Sequence, residues 1–201
     1  MDTKPKLLLA TNNKGKVREY KTLLQGIPYA IVTPADIGIT TDVDEAGVSF
    51  EENARLKAVT MAFQSGLPAL ADDSGLEVDA LAGAPGVHSH RFAGEGASDA
   101  DRVNLLLSKL KVIPEKERTA QFRCAIAVAE PDGTTEIFTG ICRGVIIAEP
   151  RGNNGFGYDP IFFIPELGKT MAELTLEEKN RISHRARAAE KAKDFLMKKP
   201  V

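Results

Sequence analysis

The sequence predicts an α/β fold: a long mixed β-sheet flanked by helices, in one domain or two closely joined lobes. Three observations lead there. Helix and strand signals alternate along the 201 residues, which is the pattern of α/β architectures. Two β-like runs in the middle, QFRCAIAVA and FTGICRGVII, are joined by the turn Glu130-Pro131-Asp132-Gly133, and a hairpin makes the sheet mixed rather than purely parallel. A hydrophobic content of 43% over this length fills a real core without forcing a split into separate domains.

The elements follow in order. Lys6 to Thr11 is a short apolar strand, and a helix begins near Lys14 with Val17, Tyr20, Leu23, Leu24 and Ile27 at helical spacing. Ala30 to Thr33 reads as a strand and Pro34 to Gly47 as an acidic loop. Ser49 with Glu52 is a capping box, opening a helix that runs to Ser65 and stops at Gly66 and Pro68. Ala69 to Ala71 is a short strand ending in Asp72-Asp73-Ser74-Gly75, and Leu76 to Ala80 alternates like another. A turn at Gly83-Ala84-Pro85-Gly86 precedes a third helix, capped by Ser98 and Asp101 and carrying Val103, Leu106, Leu107 and Leu110. Thr119 to Val128 puts Phe122, Cys124, Ile126 and Val128 on one face, as a half-buried strand does. Glu136 to Ile147 supplies one or two strands with a bend at Gly144. Arg151 to Asp159 is a Gly-rich loop, Pro160 to Ile164 a strand, and Thr175 to Met197 helical, with a new start available at Ser183.

Composition removes several classes of function. Apolar runs reach only four or five residues, so nothing spans a bilayer, and the polar start from Met1 to Lys6 has no signal-peptide core. Two cysteines, Cys124 and Cys142, make no disulfide framework and read as buried, reduced thiols in a cytoplasmic protein. Lys plus Arg (26) against Asp plus Glu (28) leaves a net charge of −2, which argues against general nucleic-acid binding. The balance hides a division. Residues 1–21 hold six basic and two acidic groups, residues 179–201 eight and two, and the stretch between them 12 and 24. Basic ends around an acidic centre suit a site for a divalent cation and a phosphate chain.

Five segments carry chemistry. Thr11, Asn12, Asn13, Lys14, Gly15 and Lys16 lie between a strand and a helix, where free N–H groups and the helix dipole attract an anion. The pattern is not a Walker loop, since Ala10 stands in the first Gly position and Val17 follows Lys16; the alternative is a polar strand-to-helix turn. Asp72-Asp73, after an apolar strand, are carboxylates that a divalent cation would stabilise, one facing the site and the other making structural hydrogen bonds. An Asx-turn without metal is the competing reading. The acidic stretch from Asp36 to Asn53, with Asp36, Asp42, Asp44, Glu45, Glu51 and Glu52, reads mostly as a solvated loop, from which Asp44 or Glu45 would reach a metal held by Asp73.

The Gly-rich run Gly152 to Asp159 lacks the dinucleotide fingerprint, because a strand follows it where a helix is needed. Phe156 and Tyr158 between glycines suit stacking on a flat ring, with Asp159 on its polar edge; a turn packing its aromatics inward is the alternative. Lys179 and Arg185, the latter beside His184, can point into one cleft if the helix restarts near Ser183, and otherwise form a solvated basic face. His88 and His90 have same-face spacing on a strand, a weak transition-metal signal, and no nucleophile set for covalent catalysis stands out.

Taken in order, the motifs from Leu8 to Arg187 resemble the inosine/xanthosine triphosphate pyrophosphatase family, house-cleaning enzymes of the nucleotide pool. The residues that carry the likeness are Thr11 to Lys16, Ser49-Phe50-Glu51-Glu52-Asn53-Ala54 leading to Lys57, and Ala71-Asp72-Asp73-Ser74-Gly75-Leu76. They continue with Gly83 to Gly86, Gly155-Phe156-Gly157-Tyr158-Asp159-Pro160 and Ile182-Ser183-His184-Arg185. In the acidic loop many members carry Glu-Glu before the Gly, where this chain has Asp44-Glu45-Ala46-Gly47.

The resemblance implies a single pyrophosphatase domain over residues 1–201, two lobes with the active site in a cleft between them, and a homodimer. It implies Mg²⁺-dependent hydrolysis of ITP, dITP and XTP to the monophosphate and pyrophosphate. Thr11 to Lys16 would hold the triphosphate, Asp73 would be general base and metal ligand with Asp44 or Glu45 as the second ligand, and Ser74 would touch substrate. Phe156, Gly157, Tyr158, Asp159, Lys179, His184 and Arg185 would recognise the nucleotide, the last two donating to a purine 6-oxo group.

Overall fold

The computed structural model of the chain describes residues 4–40 and 43–199; Asp42 of the acidic loop and residues 1–3 and 200–201 lie outside them. The strands are β1 (Lys6–Leu9), β2 (Ala30–Val32), β3 (Ala69–Val78), β4 (Thr119–Ala129), β5 (Thr135–Ile146), β6 (Phe162–Ile164) and β7 (Lys169–Thr170). The helices are α1 (Lys14–Leu23), α2 (Phe50–Ser65), α3 (Asp99–Leu110), α4 (Leu176–Ile182) and α5 (His184–Lys198). The strands form one mixed sheet in the order β2-β1-β3-β4-β5-β6-β7. β1 runs parallel to both β2 and β3, with Leu8 opposite Val32 and Ala69, whereas β5–β6 and β6–β7 are antiparallel.

The chain divides into two compact units. Unit 1 comprises residues 1–73, 124–140 and 185–201, and unit 2 residues 74–123 and 141–184, so β3, β4 and β5 each pass from one unit into the other. In unit 1 the core joins Leu7 and Leu9 of β1, Leu70 of β3 and the even positions Cys124, Ile126 and Val128 of β4. These meet Tyr20 of α1, Leu24 at its C-cap, and Ala188, Ala192 and Leu196 of α5. The alanines of α5 recur at helical spacing and remove bulk from its inner face, which lets a helix approach closely.

α2 starts where its sequence says. Ser49 accepts a hydrogen bond from the Glu52 N–H, and Gly66 ends the helix at a positive φ of 66°. The Glu52 carboxylate takes the Val48 N–H at 2.8 Å, one residue upstream of the group a capping box would use.

Unit 2 is built around α3, whose capping box of Ser98 and Asp101 is complete. Val103, Leu106 and Leu110 pack against Leu76 and Val78 of β3, Phe122 of β4, Ile146 of β5 and Phe162 and Ile164 of β6. Each such side chain contributes about 1.5–3 kcal/mol on burial.

Several local expectations change. Asp72-Asp73-Ser74-Gly75 is no turn, because β3 runs unbroken from Ala69 to Val78 and absorbs both carboxylates into the sheet. β4 is not half-buried: all of 124–129 is buried, the odd positions Ala125, Ala127 and Ala129 being small enough for a central strand covered on both faces. β5 passes through Gly144 without interruption; a Cβ there would strike the Phe163 carbonyl and the Phe162 ring. Asp79 and Ala80 belong to a 3₁₀ turn rather than a strand, and the two-residue β7 had too little pattern to be seen. The helix restart is present, α4 ending at Ile182 and α5 beginning at His184 across an extended Ser183. No helix among the described residues is long and apolar enough to cross a membrane.

Candidate active site

In unit 1, β1 leads directly into α1 across Thr11-Asn12-Asn13. Asn13 is the N-cap, its Oδ1 accepting from the Lys16 N–H at 3.0 Å, and Thr11 Oγ1 accepts from the Asn13 N–H at 3.2 Å. The first turn of α1 holds no acidic side chain, so the amides around Lys14 and Gly15 and the helix dipole present an unopposed positive end. Asn12, Asn13 and Lys14 are exposed, as an anion site requires.

Asp72 and Asp73 are adjacent on β3 and therefore face opposite ways. Asp72 serves a buried ion network. Its Oδ1 lies 3.0 Å from Lys16 Nζ, and its Oδ2 accepts from Arg185 Nε and Nη2, each at 3.3 Å. The Arg185 Nη1 donates to Glu19 Oε2 at 2.7 Å, and Glu19, Asp72 and Arg185 are all 2% exposed or less. Burial alone would favour the neutral Asp72, but Lys16 and Arg185 outweigh it and hold the carboxyl well below the usual carboxylate range. Burial would likewise lower the Arg185 pKa, but Asp72 and Glu19 overcome that and shift it upward.

Asp73 meets a different set. The Asn53 Nδ2 donates to its Oδ2 at 2.9 Å, and Lys57 Nζ stands 3.6 Å from its Oδ1. The Lys57 ammonium also donates to Glu45 Oε1 at 2.8 Å, so Glu45 and Asp73 share one cation. Burial raises the Asp73 pKa, assisted by Glu45 and opposed by Lys57 and Asn53. Among the described acids of the loop, Glu45 contacts this centre through Lys57, and Asp44 is exposed. Among the described residues no three His, Cys, Asp or Glu side chains converge on a metal position. Two carboxylates already sharing a cation nevertheless fit a hard divalent ion that completes its shell with water and phosphate oxygens.

In unit 2 the loop before β6 carries the aromatics. Asp159 accepts from the Phe156 N–H at 2.9 Å and from Lys179 Nζ at 2.6 Å, and the Lys179 ammonium lies 4.8 Å from the Phe156 ring centroid. Gly155 is needed here: its φ is +77°, and a Cβ would run into the Asp159 carboxylate. Asp99 at the start of α3 accepts from the Gly157 N–H at 2.7 Å. Tyr158 turns into the core, its hydroxyl donating to the Ser89 carbonyl at 2.9 Å. Of the two rings expected to stack on a ligand, Phe156 is therefore the one the loop presents. Asp159, expected on a base edge, is committed to Lys179 and the Phe156 amide. His184 is buried and stacks on Phe122 at 4.7 Å and 17°, and Ser74 is half-buried on β3. His88 and His90 are both exposed on a 3₁₀ helix rather than aligned on a strand.

The expectation that Lys179 and Arg185 point together meets two separate sets of partners: Asp159 for Lys179, Glu19 and Asp72 for Arg185. Sequence reasoning passed over Glu19, Asn53 and Lys57 as members of the site. The signal for the last two was their spacing: four residues apart on α2, they share one helix face with the buried Ala54 and Ala58 close by.

A sequence model of the Ham1 family matches residues 7–195. The chain belongs to the Ham1 family. Similar proteins include the dITP/XTP pyrophosphatase of Geobacter sulfurreducens, 53% identical over 191 residues (95% of this chain, 96% of the relative). That of Bacillus subtilis is 48% identical over 189 residues (94% and 96%). Among solved structures, a HAM1 protein from Coxiella burnetii superimposes with a TM-score of 0.89 at 43% identity, covering 97% of this chain and 100% of that one. The Ham1 protein of Staphylococcus aureus gives 0.85 at 43% identity, covering 95% and 97%.

Proposed function

We propose that this Ham1-family chain hydrolyses purine nucleoside triphosphates with an altered base (ITP, dITP and XTP) to the monophosphate and pyrophosphate, clearing them from the nucleotide pool. The carrying observation is Asp73: a buried carboxylate with a raised pKa, held by Asn53 and facing Lys57 and Glu45, in the same unit as the α1 anion site. The names of the relatives supply the substrate class.

In this reading the whole chain is one catalytic domain. The amides of residues 14–16 and the Lys14 side chain bind phosphate oxygens, and Lys57 neutralises charge as the anhydride breaks. Asp73 orients a water toward the α-phosphorus and takes its proton, a role worth about 10²–10⁴-fold. A divalent cation, Mg²⁺, held by Asp73 and Glu45 would polarise the phosphate and stabilise the departing pyrophosphate. Phe156 stacks on the purine, while Lys179 and His184 supply donors that suit a 6-oxo group and leave adenine's amino group unpaired. The two buried free thiols fit a reducing cytoplasm, and the family likeness argues for a homodimer.

Product analysis tests the reading. With ITP and Mg²⁺ the chain should release inosine monophosphate and pyrophosphate; inosine diphosphate with orthophosphate would refute cleavage between the α- and β-phosphates. Asp73→Asn should abolish turnover while the protein melts as a folded one, and retained turnover would remove Asp73 as base.

A further inference from the structure

Asn53 is fully buried on α2, and both ends of its carboxamide are used. The Nδ2 donates to Asp73 Oδ2 at 2.9 Å, and the Oδ1 accepts from the Gly47 N–H at 2.8 Å. Reversing the amide would set oxygen against carboxylate and NH₂ against N–H, so the two partners fix its orientation between them. Gly47 is matched to this contact. A Cβ on it would lie 2.6 Å from Asn53 Oδ1 and 2.9 Å from Glu52 Cβ, so the backbone approaches closely only because the residue has no side chain.

We infer that Asn53 is a positioning residue that couples the acidic loop to Asp73 and fixes the carboxylate in its reactive orientation. One oxygen of Asp73, Oδ2, is held by this neutral donor, which leaves Oδ1 on the side of Lys57. The loop residue at the other end of the clamp, Gly47, is two positions from Glu45, the second acid that contacts Lys57. A single buried amide therefore sets the register of both acids around one cation. Lys57, one helical turn beyond Asn53, depends on the same helix face. The inference rests on Asp73 acting as the base.

The test uses the full chain and ITP, with kcat and KM read from pyrophosphate release and folding from the melting temperature. Asn53→Asp keeps the acceptor for Gly47 but loses the donor to Asp73, while Asn53→Ala removes both. Each should lower kcat about 10- to 100-fold, the scale of a misplaced reacting group, with KM within about threefold of the parent. Gly47→Ala, which presses on the clamp without touching Asp73, should lower kcat as well. Combined with Asn53→Ala it should add little, because both act through one contact.

An Asn53→Asp variant with kcat within about threefold of the parent overturns the inference, as does full additivity of Gly47→Ala with Asn53→Ala. If Asn53→Ala does not fold, Asn53→Asp and Gly47→Ala alone decide it by the same criteria. An active Asp73→Asn variant would bring down the reading of Asp73 as base; an inactive one beside an unaffected Asn53→Asp brings down the Asn53 inference alone.

Discussion

Arg185→Met is the substitution whose cost the structure specifies most closely. It deletes a guanidinium that is 1% exposed and leaves Asp72 and Glu19, at 2% and 1%, without the cation between them. The guanidinium donates at 2.7 Å to Glu19 and twice at 3.3 Å to Asp72, and a methionine can replace none of these, while Lys16 stays at 3.0 Å from Asp72. Removing one partner from a buried pair costs about 3–5 kcal/mol, because the surviving charge is stranded away from water. At about 2–4 °C per kcal/mol for a chain of this size, the melting temperature should fall by roughly 10 °C.

Urea denaturation at several pH values is the assay, since the sign can be worked out. In the parent the Asp72 pKa is depressed on folding, so it stabilises above the unfolded carboxylate value and that contribution is lost as pH falls. In Arg185→Met, Asp72 keeps Lys16 but loses the guanidinium, so its carboxyl is depressed less and less stability is there to be lost as pH falls. The gap between parent and variant should therefore narrow toward acid pH. Adding Glu19→Gln should recover part of the loss in the variant and cost stability in the parent. A loss below about 1 kcal/mol, or a Glu19→Gln effect of the same sign in both backgrounds, would refute the buried-network argument.

Other outcomes follow from the same geometry. Phe156→Ala should raise KM for ITP roughly 5- to 100-fold, the worth of one aromatic–base stack, with a much smaller change in kcat; an unchanged KM would take Phe156 out of base binding. Lys57→Met should depress kcat and also destabilise the fold at neutral pH, because Asp73 and Glu45 then face each other without their shared ammonium. Melting curves that match the parent at every pH would contradict that. Burial pushes the Cys124 thiol up to about 12, so it should resist alkylation at pH 8 in the folded protein and react once urea unfolds it.

The sequence carried much of the architecture, for identifiable reasons. Caps at Ser49 and Ser98 marked the starts of α2 and α3, alternation in β4 marked its core face, and Ser183 marked the break between α4 and α5. What failed was local chemistry read without long-range partners. Two acids, a serine and a glycine look like a turn until Lys16, Arg185 and Asn53 are brought to them from 56, 113 and 20 positions away, as the ion pairs and the amide do in β3. The internal partners of Arg185 and Asp159 were invisible for the same reason, Glu19 and Asp72 for the first and Lys179 for the second. The polar strand-to-helix turn capped by Asn13 was legible because its signals are adjacent in the chain. The contacts of Asn53 were not, since its helical spacing to Lys57 does not name Asp73 and the Gly47 N–H as the partners of its amide.

The order of synthesis gives the Arg185 network a second meaning. Unit 1 is interrupted twice, and its third segment begins at Arg185 itself. Every earlier residue of that unit, Glu19 and Asp72 included, emerges from the ribosome before the guanidinium that neutralises them exists. Until then Glu19 lacks that guanidinium, and Asp72 has Lys16 as its cation. The buried set of Glu19, Asp72 and Arg185 beside β3 can therefore be completed only once nearly the whole polypeptide has been made.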